Sequence, residues 1–394
     1  MIQTKTVPAS DFRPSTAKDA KKPTSRIAWV DNLRMLTILL VVNMHAGVTY
    51  SHVGSWYYNS PHEPSLMEKL PFALWQGHLQ SFFMGLLFFI GGYFADRSLE
   101  RKSPAGFLKE RMIRLGLPTL FYMLVIHPFV VFVLLAPADH RPSMAWYLTE
   151  FIGKGRFIGS SGPMWFAFAL LLFCIPFAWL GKAGDCARVQ TGAVLQPITL
   201  LILAMALSIG SFLVRTVQPI GTSILNFQLC FFTQYIVAFV LGIVVSRRDC
   251  LQALAQSQIA KRAGWIALIG GPAALIAFAL IAMKDMGKAP PPMYGGWNWE
   301  ALALATWEQS TGIGLALGAM ALCSFRFNSD RGLMRWLSDR SFGVYLLHTP
   351  VLVGLALLFD PIHANLFGLV ALLTVTGWIG SFAVADIGRR LRLV

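Results

Sequence analysis

Ten apolar stretches recur along this chain, roughly at 28–50, 71–95, 117–136, 164–181, 196–214, 227–246, 264–284, 301–324, 341–359 and 366–386. Each is near the ~20 residues a helix needs to cross the hydrocarbon core of a bilayer. Inside lipid, every backbone N–H and C=O must find a partner within its own segment or in a closed barrel. Apolar runs this long satisfy that demand as helices, so the chain is expected to be all-α, a polytopic membrane protein. The composition agrees: 55% of residues are hydrophobic, 13% are charged, and the mean hydropathy is +0.58. These values exclude an ordinary soluble domain. Residues 1–27 are polar and basic and read as a disordered cytoplasmic tail, and 28–394 read as a single transmembrane domain.

The formal charge is +14. In a chain of this kind the cationic excess speaks of topology rather than of nucleic acid, because Lys and Arg flank membrane helices on the cytoplasmic side. With the N-terminus inside, the inner segments hold 25 of the 33 Lys and Arg residues and the outer segments hold 7. The expected orientation therefore has both the N-terminus and the C-terminus in the cytoplasm. The five cysteines are scattered over spans and inner loops, which predicts no disulfides. No Cys/His cluster has the spacing of a metal site, and no internal repeat of the transporter kind is visible.

The first apolar stretch carries the residues with most chemical content. Arg34 and His45 stand eleven positions apart in RIAWVDNLRMLTILLVVNMHAGVTY. At about 100° and 1.5 Å per residue, they share one helix face, about 16 Å apart along the axis. Asp31 lies one turn before Arg34 on the same face. Ionisable groups on a membrane helix turn to the bundle interior and mark a site by default. His45 can act as a general base, can be acylated itself, or can simply hold helices together. Arg34 can hold an anion or a developing oxyanion, or can snorkel to the surface, and Asp31 can pair with it.

Other elements are candidates for the same interior. The inner loop DRSLERKSPAGFLKERMIRLGLP places Arg111 and Arg114 one turn apart, where they can grip a polyphosphate or serve as anchors. Gly91-Gly92 permits close approach by a helix or a ligand. Tyr345 and His348 lie one turn apart in SDRSFGVYLLHTPVLV, and Glu308 is a carboxylate inside the eighth stretch. His78 and His127 read as packing or interface residues. Two outer loops, SHVGSWYYNSPHEPS and KAPPPMYGGWNWE, are rich in aromatic residues that suit either interface anchoring or stacking on sugar rings.

Taken in order, Arg34 and His45, FFIGGYF at 88–94, Arg111 and Arg114 followed by Pro118, MWF at 164–166 and SFGVYLLHTP at 341–350 make a pattern that resembles the integral-membrane acyltransferase-3 family. Members of that family move acyl groups onto extracytoplasmic glycans in the bacterial inner membrane. The resemblance covers nearly the whole chain after residue 27. It is closest to a branch that succinylates osmoregulated periplasmic glucans. That branch has an arginine where this chain has Phe83, in QSFFM at 80–84. If the arginine reads the succinyl carboxylate, Phe83 points to acetyl or another neutral acyl group.

The resemblance implies an acyl-CoA donor, succinyl-CoA or acetyl-CoA, that docks from the cytoplasm with its phosphates near Arg111 and Arg114. It implies His45 as the base or the acyl carrier and Arg34 as the group that orients the thioester. Asp31, Trp165, Glu308, Tyr345 and His348 are implied as further substrate-binding positions. The acceptor is a glycan hydroxyl, with no metal and no bound cofactor expected. The rival reading is a ten-span transporter that uses Asp31, Arg34 and His45 as a polar path.

Overall fold

The computed structural model describes residues 26–181, 196–282 and 291–391. The expected tail at 1–25 and Cys186 lie outside the described residues. Ten long helices account for the expected spans: α1 (Ala28–Ser51), α2 (Leu66–Leu99), α3 (Pro104–Leu135), α4 (Trp165–Leu180), α5 (Pro197–Val217), α6 (Phe232–Arg247), α7 (Gln258–Ala282), α8 (Trp299–Arg326), α9 (Gly332–Phe359) and α10 (Leu366–Arg390). Among the described residues there is no strand. The protein is all-α and polytopic.

Among the described residues, nine of these helices are long and apolar enough to cross a membrane. The exception is α8, which has the length, at 28 residues, but carries Trp307-Glu308-Gln309-Ser310-Thr311 at its middle. Glu308, Gln309 and Thr311 are buried, so the bundle rather than lipid receives that polar segment. The peripheral helices show the opposite pattern. On α5 the residues Ile198, Leu201, Ile202, Met205, Ile209 and Leu213 are all exposed. Their spacing is one helical stripe, which lipid covers.

Small residues set the helix contacts. Lipid tails are as apolar as leucine, so helices in a bilayer associate through close packing and polar contacts. A Cβ added at Gly92 would lie 2.0 Å from the Phe239 carbonyl oxygen, and one at Gly242 would lie 2.0 Å from that of Phe89. No side chain fits at either place, and the α2–α6 crossing depends on both glycines. Gly91, the neighbour of Gly92, instead faces a cavity. The two readings open for the Gly91-Gly92 pair are therefore divided between its two residues.

α3 is not a uniform α-helix. π-type turns occupy Met112–Gly116, Tyr122–Ile126 and Phe129–Leu135. Pro118 and Pro128 lack the N–H that would continue an α-helical ladder. Such wide turns are frequent at functional sites, and along this helix Arg111, Arg114, Pro118 and Phe121 line one cavity.

Ion pairs fasten the helix ends around α1. Arg26 donates to the Asp31 carboxylate at 2.7 Å and lies 2.9 Å from Asp339. Arg340 donates through Nε to Asp386 at 2.6 Å, joining α9 to α10. The described cysteines, Cys174, Cys230, Cys250 and Cys323, are buried free thiols.

Candidate active site

Among the described residues, two cavities are lined by candidate residues. The larger, about 1030 Å³, is lined by Arg34 and Ile38 of α1, by Gly91 of α2, by Arg111 and Arg114 of α3, and by residues of α4, α9 and α10. The smaller, about 450 Å³, is lined by His45 and Val48 of α1, by Trp56 and Tyr57 of the loop that follows, by Gln80, Phe83 and Met84 of α2, and by His127, Trp165 and Tyr345. We call them the arginine cavity and the histidine cavity. Among the described residues, Tyr345 alone lines both.

Arg34, Arg111 and Arg114 all line the larger cavity. Arg34 lies 3.4 Å from the Asp31 carboxylate, which Arg26 also engages. Asp31 thus holds Arg34 and is not among the residues that line either cavity. The Arg34 Nε is buried with no partner. Arg111 lies over the Phe107 ring, 5.0 Å from its centre, and donates to the Phe94 carbonyl at 3.3 Å. Arg114 pairs with Glu110 at 3.1 Å. Arg34, Arg111 and Arg114 are the Lys or Arg residues among the described residues that line the larger cavity.

His45 stands in an aromatic frame. Its ring stacks on the Trp56 indole with centroids 3.6 Å apart and planes 15° apart. The His348 ring lies nearly parallel at 5.4 Å. His348 is fully buried and its Nδ1 donates to the Tyr345 carbonyl at 2.8 Å, which leaves Nε2 as the acceptor nitrogen. Neither His45 Nδ1 nor His348 Nε2 has a partner. In native interiors buried polar atoms are nearly always bonded, so two orphan imidazole nitrogens side by side mark a place where another group binds.

Trp56, Tyr57 and His127 belong to this wall, and the sequence assigned none of the three a catalytic or substrate-binding role of its own. His127 read as a packing residue; in the fold its Nδ1 accepts a hydrogen bond from the Tyr57 hydroxyl at 2.7 Å, and Tyr122 donates in turn to Tyr57 at 3.2 Å. Burial pushes the Tyr57 hydroxyl up to about 12, so it keeps its proton and its role as a donor at neutral pH. Both loop residues sit in the aromatic segment that suited membrane anchoring equally well. The anchor reading fits Trp297 of the other aromatic loop, which is 79% exposed.

The loop after α1 is tightly fixed. His52 ends α1 in a left-handed conformation (φ 56°), and Gly54 follows at φ 104°. The Ser60 N–H donates to the Thr49 carbonyl at 2.8 Å, returning the chain to the end of α1. Glu63 joins His52 at 2.9 Å and Lys69 at 2.6 Å, and Tyr58 bonds to Asp360. The Lys69 ammonium holds the Glu63 carboxyl below its usual range.

Trp165 and Tyr345 take their expected places on the cavity wall. The Trp165 ring lies 5.6 Å from Tyr235, and Tyr345 donates its hydroxyl to the Pro163 carbonyl. Glu308 does not. It forms a buried ion pair with Arg215 at 2.7 Å, and neither residue lines either cavity. The Arg215 side chain is fully buried. An isolated charge in a membrane bundle is costly, so the two residues settle each other.

A membrane bundle with arginines on one cavity, a free imidazole on the next and a residue joining them has the parts of a group-transfer enzyme, a class that sequence similarity then specifies. The acyltransferase-3 family, described as an acyltransferase domain, matches residues 27–386. The chain belongs to that family and is an O-acyltransferase, a multi-pass protein of the bacterial inner membrane. It is 23% identical over 369 residues to the glucans biosynthesis protein C of Salmonella agona strain SL483, covering 90% of each chain. It is 24% identical over 374 residues to the protein of that name from Escherichia coli O81 strain ED1a, again covering 90% of each. No solved structure matches it.

Proposed function

We propose that this enzyme takes an acyl group from cytoplasmic acyl-CoA and esterifies a hydroxyl of a periplasmic glucan at His45. The observation that carries the reading is the pair of cavities, arginine-lined and histidine-lined, that share Tyr345. At about 1030 Å³ the arginine cavity is at the upper end of the ~300–1,000 Å³ usual for small-molecule sites. Arg111 and Arg114 suit the phosphates of CoA, with guanidinium donors in a fixed fork. Arg34, braced by Asp31, would meet the part of the donor nearer the thioester. The cationic bias of the inner segments supports a cytoplasmic position for this cavity. The glucan acceptor is named by analogy with the relatives, whose printed name concerns glucan biosynthesis.

At the histidine cavity the acceptor hydroxyl would bond to His45. Its proton passes to the imidazole as the hydroxyl oxygen forms a bond to the acyl carbon. The carbon–sulfur bond then breaks, and the proton is returned to the leaving thiolate. A positioned general base of this kind supplies about 10²–10⁴-fold in rate. Stacking on Trp56 fixes the ring plane.

The same cavity bears on which acyl group is used. Among the described residues that line it there is no Asp, Glu, Lys or Arg. Phe83, only 4% exposed, stands on the wall together with Met84. A succinyl carboxylate there would be desolvated without a counter-charge, which is costly. A neutral group such as acetyl meets no such cost.

The test uses purified protein in lipid nanodiscs with labelled acetyl-CoA or succinyl-CoA and linear glucan oligosaccharides. Ester formation from acetyl-CoA, weaker formation from succinyl-CoA and none with His45→Ala is the expected result. Failure of the wild-type protein to acylate glucan from either donor would overturn the proposal.

A further inference from the structure

An ester-forming step needs a donor for the oxygen that gains negative charge in the transition state, and such donors are among the largest single contributions to enzymatic rate. We infer that the indole N–H of Trp56 is that donor. The inference rests on the proposed transfer at His45 and adds a second catalytic residue to it.

Three observations converge. The Trp56 ring is stacked on His45 at 3.6 Å, and both residues line the histidine cavity. The Trp56 Nε1 is buried and has no hydrogen-bond partner. An indole N–H can only donate, so this atom waits for an acceptor that the protein does not supply. Third, several polar side chains on the same wall are already engaged. Asn226 donates to the Ser161 hydroxyl and the Gly162 carbonyl, both at 2.9 Å. The Tyr57 hydroxyl is bonded to His127 and that of Tyr345 to the Pro163 carbonyl.

The loop supplies the rigidity that such a donor needs. A preorganised donor does not have to reorient as charge develops. Trp56 lies between His52 and Ser60, and both are tied down: His52 to Glu63 and to the Ser60 carbonyl, each at 2.9 Å, and Ser60 through its N–H to Thr49. With the rings parallel, a hydroxyl bonded to the imidazole and a carbonyl oxygen bonded to the indole would lie in adjacent planes. In the step itself the hydroxyl oxygen–acyl carbon bond forms, the carbon–sulfur bond breaks, and the hydroxyl proton travels through His45 to the thiolate. Trp56 neither gains nor loses a proton.

The experiment compares wild-type protein, Trp56→Phe and a protein with benzothienylalanine placed at position 56 by codon suppression. Phenylalanine keeps an aromatic ring against His45. Benzothienylalanine keeps the shape of tryptophan and replaces N–H by sulfur. Both should lower kcat by about 100-fold or more, the usual cost of one lost oxyanion donor, with KM for acyl-CoA and thermal unfolding unchanged. Normal kcat with benzothienylalanine would overturn the role of the N–H, whatever Trp56→Phe does. If the wild-type protein itself forms no ester, the proposed function falls and the role of Trp56 falls with it.

Discussion

The hydroxyl of Tyr345 donates to the carbonyl oxygen of Pro163, and this bond lies where the arginine cavity meets the histidine cavity. Tyr345 comes from α9, and Pro163 from the turn that starts α4. The ring is held between Phe166, Phe342 and His348, with centroids 6.2–6.3 Å away. On the proposed route, a donor held by Arg34, Arg111 and Arg114 would pass this ring, which lines both cavities, to reach His45.

Tyr345→Ala should therefore uncouple the reaction. Water gains access to the acyl group, and the ratio of free CoA released to glucan ester formed should rise severalfold. Tyr345→Phe, which loses only the bond to Pro163, should show a smaller rise. Measuring both products in the same sample checks this, and an unchanged ratio in Tyr345→Ala would show that the ring does not guard the passage.

Removing the cations of the arginine cavity should weaken donor binding and leave the histidine chemistry intact. Arg111→Gln and Arg114→Gln each remove hydrogen bonds to a charged partner, worth about 1.5–3 kcal/mol. A rise in KM for acyl-CoA of roughly 10–100-fold follows for each at 1.4 kcal/mol per tenfold. The same loss should appear as weaker CoA binding by calorimetry in detergent. Equal affinity in both variants would assign these arginines to membrane anchoring.

Glu308 should matter for stability and not for substrate. Glu308→Ala leaves the Arg215 guanidinium buried without its partner, which costs about 3–5 kcal/mol. Less folded protein and a lower unfolding temperature are expected. The double change Glu308→Leu with Arg215→Met should restore much of the loss, because it removes both charges. A stable Glu308→Ala protein with raised KM would return Glu308 to the substrate.

The alkaline side of the stability profile should report Tyr57. Its pKa is raised in the fold by burial, to about 12, above the ordinary value near 10. The fold therefore favours the protonated form. The contribution is fully present below pH about 10 and is lost as pH rises through about 12. Tyr57→Phe should flatten that fall relative to wild-type in detergent unfolding curves. Identical curves would mean that Tyr57 is hydrated in solution.

Sequence alone determined the all-α membrane fold, the helix count and the alignment of Asp31, Arg34 and His45. Helical period and the bilayer's demand for satisfied backbone act locally, so a run of residues contains the answer. The divided roles of Gly91 and Gly92 were half legible in the same way. The tertiary structure decided the rest. It separated Arg34 and His45 into two cavities joined at Tyr345, and folded a loop back so that Trp56 stacks on His45. It brought Tyr57 to His127, 70 residues away. It also took Glu308 out of the site by giving it Arg215, a partner 93 residues distant. Local periodicity shows which face a residue occupies on its own helix, whereas the partner on that face is set by the packing of the other helices.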